Sequence, residues 1–493
     1  MSRIRAEQQD GFYDVLRNWL HNQPWFPRVQ GRWKLHRAGG MRLPTPEGDR
    51  DAQLTLELHL FDVEHQDGRE RISVPVALRS RPSAHVGKNV LIGKLGGDRD
   101  QEIWIYDGTR DRAFLAAWLE LARREQGTRN GRIHGRAWAG FAEREPFTTW
   151  LTRSAVDDGD QFSSRALVAP PGVDAQAHAS QKVLVDFSRI LTHERPEAVE
   201  TALTLSSSGG SSISPVLGAV TVADPIRGVS DLALIREGSV EAHSALKLLR
   251  SQLRIAPDQR RGEVRSPAPQ ETSSAETSDE DATAGVAEEH LVDEKAVETL
   301  HQLGESLARF HYDLATSFGA HPQTNDQIRE AAAALSTDLQ KTWDAARPAF
   351  TDEDATRLDG VISEMAQHID DVDRALVLQR IHGSLTLEHF HEQGAPGQWI
   401  IDERDGVVDH APALWDVVSV MLSLAHVVST VDGSDAGARF TTLCSSFLEG
   451  YRHAGLAEDV PQGVMFRAVL LKRALETYPG YGREWIFRFT ETD

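Results

Sequence analysis

Residues 380–390 read RIHGSLTLEHF, and residues 399–402 read WIID. In the first stretch a short apolar run leads into His382-Gly383 and a polar loop. The second stretch is another apolar run, and it ends on Asp402. Two strands that hold a loop rigidly are a favourable place for reactive side chains. Ser384 directly follows the glycine, where a carboxylate base would complete such a site, so the pattern predicts a strand–loop–strand site with one unexpected residue.

The length of 493 residues predicts two to four structural units. Hydrophobic residues make up 40% of the sequence and charged residues 26%, which is typical of a folded protein. The single cysteine, Cys444, excludes an internal disulfide framework and a multi-cysteine metal site. Its apolar, helical surroundings favour a buried bystander over a nucleophile.

The formal net charge of −21 argues against nucleic acid or an anionic membrane as a partner, because both bind basic surfaces. The first twenty residues carry charges and glutamines where a signal peptide needs an apolar core. No apolar run approaches the length of a membrane-spanning helix. Together these patterns predict a cytoplasmic protein.

The first 125 residues have the pattern of a small α+β domain. Residues 12–20 are spaced as an amphipathic helix, and alternating apolar residues around an Asp-Gly turn at 67–68 predict an antiparallel strand pair. A second helix is predicted over residues 113–124, after the strand-like sequence IWIYDG. We interpret residues 1–125 as an N-terminal cap.

Residues 126–255 are predicted to form a second α+β region, in which KVLVDF is the clearest strand. The Ser/Gly run at 206–212 lacks the lysine of a phosphate-binding loop, so we interpret it as a flexible hairpin connection. Residues 256–290 are poor in large apolar side chains and rich in Pro, Ser, Thr and acidic residues. Such a segment buries too little surface to offset chain entropy, so we predict a disordered acidic linker.

Residues 291–493 are predicted to be mainly helical. Leucine and phenylalanine recur at intervals of three and four between Leu300 and Phe318, which places them on one helix face. Further helices are predicted over residues 325–347, 352–369, 415–428, 436–451 and 464–476. The strand–loop–strand unit lies between the second and third of these. A helical region with one small hairpin, preceded by a sheet-containing region, is the plan of the protein-kinase-like phosphotransferases.

The sequence resembles the maltokinase family, in the aminoglycoside-phosphotransferase branch of the kinase-like fold. The segments that carry the resemblance are PWFP near residue 24, IYDGTRDRAFLAAWL, HQLGESLARFHYDLATSFG and LKRALETYPGYGREWIFRF. The resemblance implies an α+β, bilobal protein-kinase-like fold with an N-terminal α+β cap domain. For an active member it implies ATP and Mg²⁺ as cofactors. It further implies a sugar ligand such as maltose, and trehalose synthase as a partner.

The catalytic loop of the family reads His-Gly-Asp-Leu-His-x-x-Gln or Asn. His382 and Gly383 match this pattern, so the resemblance implies that residues 382–384 are the catalytic positions. Ser384, however, stands in place of the catalytic aspartate. A serine hydroxyl is not a useful base near neutral pH, and losing a positioned base costs roughly 10²–10⁴-fold in rate.

The metal positions implied by the resemblance are Asp402 and His389. Asp402 matches the aspartate of the family's metal strand, whereas His389 replaces an amide and Arg404 replaces a glutamate. Imidazole is a poor substitute for an oxygen ligand of Mg²⁺. His389 and His391 would suit zinc or nickel better, but their loop context favours solvent-exposed histidines without a metal.

The nucleotide-binding positions implied by the resemblance are Gln176, Ser180 and Arg189. Val185 takes the place of the lysine that clamps the nucleotide. By analogy with other electrostatic stabilisers, loss of this cation would cost on the order of 3 kcal/mol of stabilisation of the phosphates. Lys182 is the nearest substitute, but three residues from Val185 it is expected to face the other side of a strand.

The altered base, metal and nucleotide positions together favour a degenerate, pseudokinase-like member. Such a protein would bind or scaffold in trehalose, maltose and α-glucan metabolism. Two alternatives stay open: an active ATP-dependent maltokinase with a rearranged site, and another sugar or aminosugar kinase on the same scaffold.

Overall fold

The structure is a computed structural model. It describes residues 6–490 apart from residues 30, 48, 50, 52, 67, 84–89, 97–101, 139, 150, 156–162, 171–181, 193–194, 226, 239–243, 254–293, 370–376, 394–396, 404–405, 431–435, 455–462 and 479–481. Across the described residues, every helix is too short or too polar to cross a lipid bilayer. The chain divides into two compact units. The first comprises Met1–Gly209, Ile213–Ala242 and Gln393–Pro396, and the second comprises Gly210–Ser212, His243–Glu392 and Gly397–Asp493.

The first unit is built on two antiparallel sheets. In chain order its strands are β1 (Lys34–Leu43), β2 (Thr55–His65), β3 (Gly68–Arg79), β4 (Leu91–Leu95), β5 (Ile103–Asp107), β6 (Ile133–Ala137), β7 (Leu151–Ala155), β8 (Ser163–Ala169), β9 (Val183–Ser188), β10 (Ile190–Leu191), β11 (Val216–Asp224) and β12 (Gly228–Glu237). The first sheet has the order β1-β2-β3-β5-β4, with β10 paired to β3, and the second has the order β6-β11-β12-β9-β8-β7.

Strand β2 is buried on both faces, because a helix packs on each side of the first sheet. Helix α1 (Phe12–His21) places its apolar residues against one face, next to Phe61 of β2. Helix α2 (Arg112–Arg123) packs on the other face, against Leu56 and Leu58. Residues 55–63 are therefore buried without interruption, although the sequence of β2 alternates between apolar and polar side chains.

The polar residues of β2 form a buried ionic network beneath α1. His59 is 2% exposed; its Nδ1 lies 3.1 Å from Glu7 and its Nε2 lies 3.2 Å from Glu57. Burial by itself would lower the pKa of His59, but hydrogen bonds to Glu57 and Glu7 outweigh this and raise it. The hydrogen bond to His59 likewise helps to hold the pKa of Glu7 below its ordinary value. The two carboxylates on either side of His59 thus favour the charged form of its ring.

Helix α2 starts where it does because Asp111 caps it. The Asp111 carboxylate accepts the backbone N–H groups of Ala113 and Phe114 at 2.9 and 3.1 Å. Arg79 of β3 donates two hydrogen bonds to the same carboxylate, at 2.9 and 3.0 Å. The cap ties the helix to the first sheet, while Phe114 and Trp118 pack against Phe187 of the second sheet. Both sheets therefore share the core around α2.

The second unit contains most of the helices. Helix α3 (Glu197–Ser207) belongs to the first unit, and the second unit carries α4 (Ala245–Leu253), α5 (Glu294–Phe318), α6 (Asn325–Ala346), α7 (Asp352–Ile369), α8 (Leu414–Ser429), α9 (Ala436–His453), α10 (Gly463–Thr477) and α11 (Ile486–Thr490). Its strands are β13 (Ala320–Pro322), β14 (Val377–Ile381), β15 (Phe390–Glu392), β16 (Trp399–Ile401) and β17 (Val408–Pro412). Strand β14 lies between β13 and β17, and β15 pairs with β16.

The seven helices predicted with both ends are confirmed, and their ends agree to within two residues. The apolar face from Leu300 to Phe318 is confirmed on α5, which begins earlier, at Glu294. The antiparallel pair around residues 67–68 is confirmed as β2 and β3. Burial of Cys444 is confirmed as well, and it raises the pKa of the thiol to about 12, so the cysteine is an unreactive core residue. The boundary predicted near residue 125 falls inside the first unit, and the predicted linker at 256–290 lies outside the described residues.

The interpretation of residues 206–212 as a hairpin connection is wrong. The run is the end of α3 and the connection from that helix to β11. The serines stay compatible with the helix because their hydroxyls bond back to it. Ser207 donates to the carbonyl of Leu203 at 2.8 Å, and Ser208 to that of Thr204 at 3.0 Å.

Candidate active site

The loop after β14 is held in place by Asp416, a fully buried residue in the first turn of α8. Its Oδ2 accepts the backbone N–H of His382 at 2.8 Å, and its Oδ1 accepts that of Gly383 at 2.7 Å. Gly383 has a φ of +84°, and a Cβ at this residue would lie 2.4 Å from Val408 Cγ2. Only glycine fits this backbone, so the start of the loop has a fixed shape.

Two further buried residues hold Asp416 in turn. Nε2 of His311 on α5 lies 3.2 Å from Asp416 Oδ2, and the other ring nitrogen lies 2.8 Å from the hydroxyl of Tyr451 on α9. Tyr451 was missed by sequence reasoning, and His311 was noticed only as part of a helical motif. In the sequence, His311 and Tyr451 are each a polar side chain on an otherwise apolar helix face. Nothing in the sequence around either residue indicates that the two side chains meet.

His382 is a buried positioning group. Its Nε2–H donates to the backbone carbonyl of Asp402 at 3.0 Å, and its Nδ1 accepts the backbone N–H of Ser384 at 3.4 Å. Burial lowers the pKa of His382, and the neighbouring Asp416 carboxylate opposes this only in part. The ring is therefore neutral near pH 7 and links the loop to the end of β16. A nitrogen that already donates to a carbonyl does not take a proton from a substrate hydroxyl.

Ser384 is exposed, and it supplies no carboxylate at the position where the resemblance implies the base. The backbone of Gly406 passes beside it: a Cβ at Gly406 would lie 2.6 Å from the Ser384 hydroxyl and 2.6 Å from the carbonyl of His382. The backbone of the loop thus leaves the side chain of residue 384 exposed to solvent. The side chain that it presents is too weak a base to assist phosphoryl transfer.

His389 and Asp402 are brought together by the β15–β16 hairpin. The backbone N–H of Asp402 donates to the carbonyl of His389 at 2.8 Å. Nδ1 of His389 accepts the backbone N–H of Thr386 at 3.0 Å, and its ring centroid lies 4.6 Å from that of His382. His391 Nε2 lies 3.8 Å from Asp402 Oδ2. The expectation of solvent-exposed histidines is wrong, because both rings are half-buried against the loop.

The residues of this hairpin fit a nucleotide-bound Mg²⁺ only through Asp402. Such ions take one or two protein carboxylates and complete their octahedron with phosphate oxygens and water. His389 suits Mg²⁺ less well, because imidazole is a softer ligand and its Nδ1 already accepts a hydrogen bond. In the described part of the hairpin, three His, Cys, Asp or Glu ligands do not come within 4.8 Å of one another. The metal role of His389 and Asp402 stays a prediction.

The second sheet of the first unit has one apolar face and one charged face. Val185 is fully buried on the apolar face, beside Phe187 and Ala166. A lysine at residue 185 would therefore lie in the core and could not clamp a nucleotide. The absence of lysine there carries no information about nucleotide binding, and the inference drawn from it is wrong.

The charged face of that sheet carries Asp186 between two arginines. Arg165 Nε lies 3.2 Å from its carboxylate, and Arg236 Nε lies 3.6 Å from it. Lys182, just before β9, is 2% exposed, and strand alternation places it on this charged side, as predicted. In the described part of this face, Lys182, Arg165 and Arg236 thus lie on the same side of the sheet as Asp186.

Arg189 is committed to contacts inside the first unit. It is 1% exposed; Nε donates to Ser164 Oγ at 2.8 Å, Nη2 donates to Thr109 Oγ1 at 2.9 Å, and the same nitrogen pairs with Asp107. Its guanidinium lies 4.9 Å from the centre of the Trp25 ring. These contacts explain why the residue is buried, and its nucleotide role stays a prediction. Gln176, Ser180, Arg404 and the acidic linker lie outside the described residues.

Comparison with known proteins adds two findings. Residues 19–111 match the family model of the maltokinase N-terminal cap domain. No curated protein sequence matches the chain. Among solved structures, the chain is similar to glucosamine kinase in complex with glucosamine, ADP and inorganic phosphate. The two share 17% identity at a TM-score of 0.54, with 97% of each chain covered.

A second structure, glucosamine kinase in crystal form A, shares 18% identity at a TM-score of 0.53, with 94% of this chain and 91% of that chain covered. An aminoglycoside phosphotransferase from Streptomyces rimosus covers 73% of this chain and 98% of its own, at 12% identity. Its TM-score is 0.30. At these identities the similarity establishes the fold and not the activity. The predicted α+β, kinase-like fold with an N-terminal cap is confirmed.

Proposed function

We propose that this chain, in which a maltokinase N-terminal cap domain is joined to a kinase-like fold, is a maltokinase-like sugar-binding protein with weak or absent phosphoryl transfer. The observation that carries the proposal is the loop at residues 382–384. Asp416 and His382 retain the backbone frame of a kinase loop around a residue that cannot act as a base.

Phosphoryl transfer depends on positioning and on charge neutralisation, and the two can be lost separately. In an intact site a carboxylate at residue 384 would accept the proton of the sugar hydroxyl as its oxygen attacks the γ-phosphorus of ATP and ADP leaves. Ser384 leaves that proton without an acceptor, whereas Asp402 retains the carboxylate that would hold Mg²⁺, whose charge would offset that of the phosphates. The site therefore favours binding over turnover.

The test compares the wild type with Ser384→Asp and Ser384→Asn in a coupled assay with ATP, Mg²⁺ and either maltose or glucosamine. Restoring a carboxylate is expected to raise turnover by roughly 10²–10⁴-fold. The asparagine variant has the same shape but no basic oxygen, so it is expected to stay at the wild-type level. Wild-type turnover equal to or above that of Ser384→Asp would refute the proposal.

A second candidate is an active ATP- and Mg²⁺-dependent sugar or aminosugar kinase with a rearranged site. The charged face around Asp186 favours it, because Lys182, Arg165 and Arg236 are side chains of the type that binds phosphate, and they are present without any lysine at residue 185. The similarity to glucosamine kinase, whose structure holds glucosamine and ADP, extends this candidate to aminosugars.

Calorimetric titrations with ATP and Mg²⁺ and with maltose distinguish a nucleotide-binding protein from a protein that binds only sugar. Sub-millimolar ATP affinity that falls at least tenfold in Lys182→Met, with an unchanged melting temperature, would support nucleotide binding at this face. Affinity for maltose without affinity for ATP would support a purely sugar-binding protein.

A role beside trehalose synthase in α-glucan metabolism is the biological setting that we propose for either candidate. The maltokinase cap domain is the one finding that supports this setting. Co-elution of the purified chain with trehalose synthase in size-exclusion chromatography is the expected result. Separate elution at micromolar concentrations of both proteins would argue against the pairing.

A further inference from the structure

Three side chains that commonly bind metals meet on the second unit, away from the residues of the candidate active site. They are His301 and Glu305 on α5 and His453, the last residue of α9, and their ligand atoms all lie within 4.8 Å of one another. Nε2 of His301 is 3.6 Å from the Glu305 carboxylate, and the two imidazole centroids are 5.9 Å apart. In the described parts of the chain this is the one group of three such residues.

The helices that carry these side chains are in backbone contact at this point. A Cβ on Gly450 would lie 2.0 Å from the carbonyl oxygen of His301, and a Cβ on Gly304 would lie 2.1 Å from that of Phe447. Each glycine therefore lets the other helix approach to a distance that no larger residue allows. One turn earlier, Ser446 of α9 donates to the carbonyl of Val297 at 2.8 Å.

This helix contact fixes the positions from which the three side chains extend. Residues four apart on a helix lie on the same face, which brings His301 and Glu305 together. His453 follows Gly450 by three residues and so lies about one turn beyond the contact. The side chains of His301 and Glu305 are 25% and 38% exposed, so the cluster is open to solvent. The backbone is rigid while the side chains can still adjust.

We propose that His301, Glu305 and His453 form a binding site for Zn²⁺. Two imidazoles and one carboxylate are a ligand set that zinc takes together with one water molecule in a tetrahedral site. With metal–ligand bonds of about 2.0–2.2 Å, tetrahedral ligand atoms stand roughly 3.3–3.6 Å apart, so small side-chain rotations complete the geometry. Mg²⁺ and Ca²⁺ prefer oxygen ligands and are not expected to compete.

A zinc ion at this site would cross-link α5 to α9. These are the helices whose His311 and Tyr451 hold Asp416, and Tyr451 precedes His453 by two residues. The ion would therefore stabilise the support of the loop at residues 382–384 without touching that loop. The zinc site shares no residue with the proposed kinase chemistry, so the zinc proposal does not depend on the proposed function.

The experiment uses the full chain without a histidine tag, stripped with EDTA and desalted. Titration of Zn²⁺ against a chromophoric indicator is expected to show one tight equivalent per chain. His301→Ala, Glu305→Ala and His453→Ala are each expected to weaken that equivalent by at least about 10²-fold, more than the loss of an outer-shell partner. Co²⁺ in place of zinc is expected to give the intense visible absorption of a four-coordinate site, which the same variants lose.

Two histidine pairs elsewhere in the second unit provide matched controls. His321 and His410 have ring centroids 5.2 Å apart, and His389 and His391 belong to the candidate active site. The double variants His321→Ala/His410→Ala and His389→Ala/His391→Ala are expected to keep the tight equivalent and the Co²⁺ spectrum. The proposal is overturned if either control loses the metal while His301→Ala and His453→Ala retain it, or if the wild type takes up no zinc.

Discussion

The carboxylate of Asp416 accepts the backbone N–H of His382 at 2.8 Å, from a position 34 residues further along the chain. A second hydrogen bond, from Gly383, fixes the next peptide group. The shape of the loop is thus imposed by the first turn of α8 and not by the side chain at residue 384. This explains how the loop keeps its shape with a serine at residue 384.

Asp416→Asn is expected to loosen that loop. The new amide group turns a donor toward one of the two backbone N–H groups, which leaves a buried donor without an acceptor and costs about 1–3 kcal/mol. Hydrogen exchange of the amides of residues 382–384 is expected to accelerate, and the urea midpoint of the second unit to fall. Asp409→Asn is the matched control. It removes a carboxylate of the same unit that pairs with Arg380 but is 43% exposed, so a smaller effect is expected. Equal effects of the two variants would contradict the anchoring role of Asp416.

Val185→Lys is expected to destabilise the first unit and not to create nucleotide binding. The residue is fully buried beside Phe187, so the new ammonium group would lie in an apolar core at a cost of about 3–5 kcal/mol. Leu184→Lys, on the opposite face, is expected to be tolerated. Thermal unfolding and ATP titration of both variants check this. Improved ATP affinity in Val185→Lys with normal stability would show that our assignment of the two faces is reversed.

Arg189→Met is expected to cost about 3–5 kcal/mol, because it leaves the Asp107 carboxylate buried without its counter-charge. Arg69→Met removes an arginine from the same unit, but the side chain of Arg69 is 55% exposed and its partner Asp62 keeps the pair with Arg71, so the loss should stay below about 1 kcal/mol. Urea unfolding followed by tryptophan fluorescence measures both. A small loss for Arg189→Met, accompanied by weaker ATP binding, would instead support the nucleotide role of Arg189.

The ionic network of His59 predicts a dependence of stability on pH. The pKa of His59 is raised above its ordinary value of 6.5, so its contribution is complete below that value and is lost as the pH rises through the folded-state pKa. The pKa values of Glu57 and Glu7 are lowered from 4.5, so their contribution is present above that value and is lost as the pH falls. Stability of the first unit is expected to be greatest between these limits.

His59→Gln is expected to remove the decline in stability on the alkaline side. The free energy of unfolding, measured in urea at intervals from pH 5.5 to pH 9, should fall with pH in the wild type and stay level in the variant. His36 offers a control, because its pair with Glu64 is about half exposed, and His36→Gln should leave the wild-type slope unchanged. A parallel slope in His59→Gln would locate the pH dependence elsewhere.

Sequence reasoning succeeded where the signal was local. The spacing of leucines from Leu300 identified α5, and alternation around residues 67–68 identified the hairpin of β2 and β3, because both patterns follow from the geometry of one element. Sequence reasoning failed at Val185. The family motif suggested a nucleotide-binding position there, whereas the alternation of the strand places Val185 on the apolar face. Contacts such as His311 with Tyr451 could not be predicted, since 140 residues separate the two and no periodicity relates them.

The ion pair between Asp107 and Arg189 has a consequence for any exchange of the cap between proteins. Asp107 lies within the maltokinase cap segment at residues 19–111, whereas Arg189 follows strand β9 of the second sheet and its carbonyl accepts the backbone N–H of Ser73 at 2.8 Å. A recombination event that exchanged the cap alone would separate the two charges and leave one of them buried without compensation. Grafting the cap alone onto a relative is therefore expected to cost stability unless both Asp107 and Arg189 are transferred.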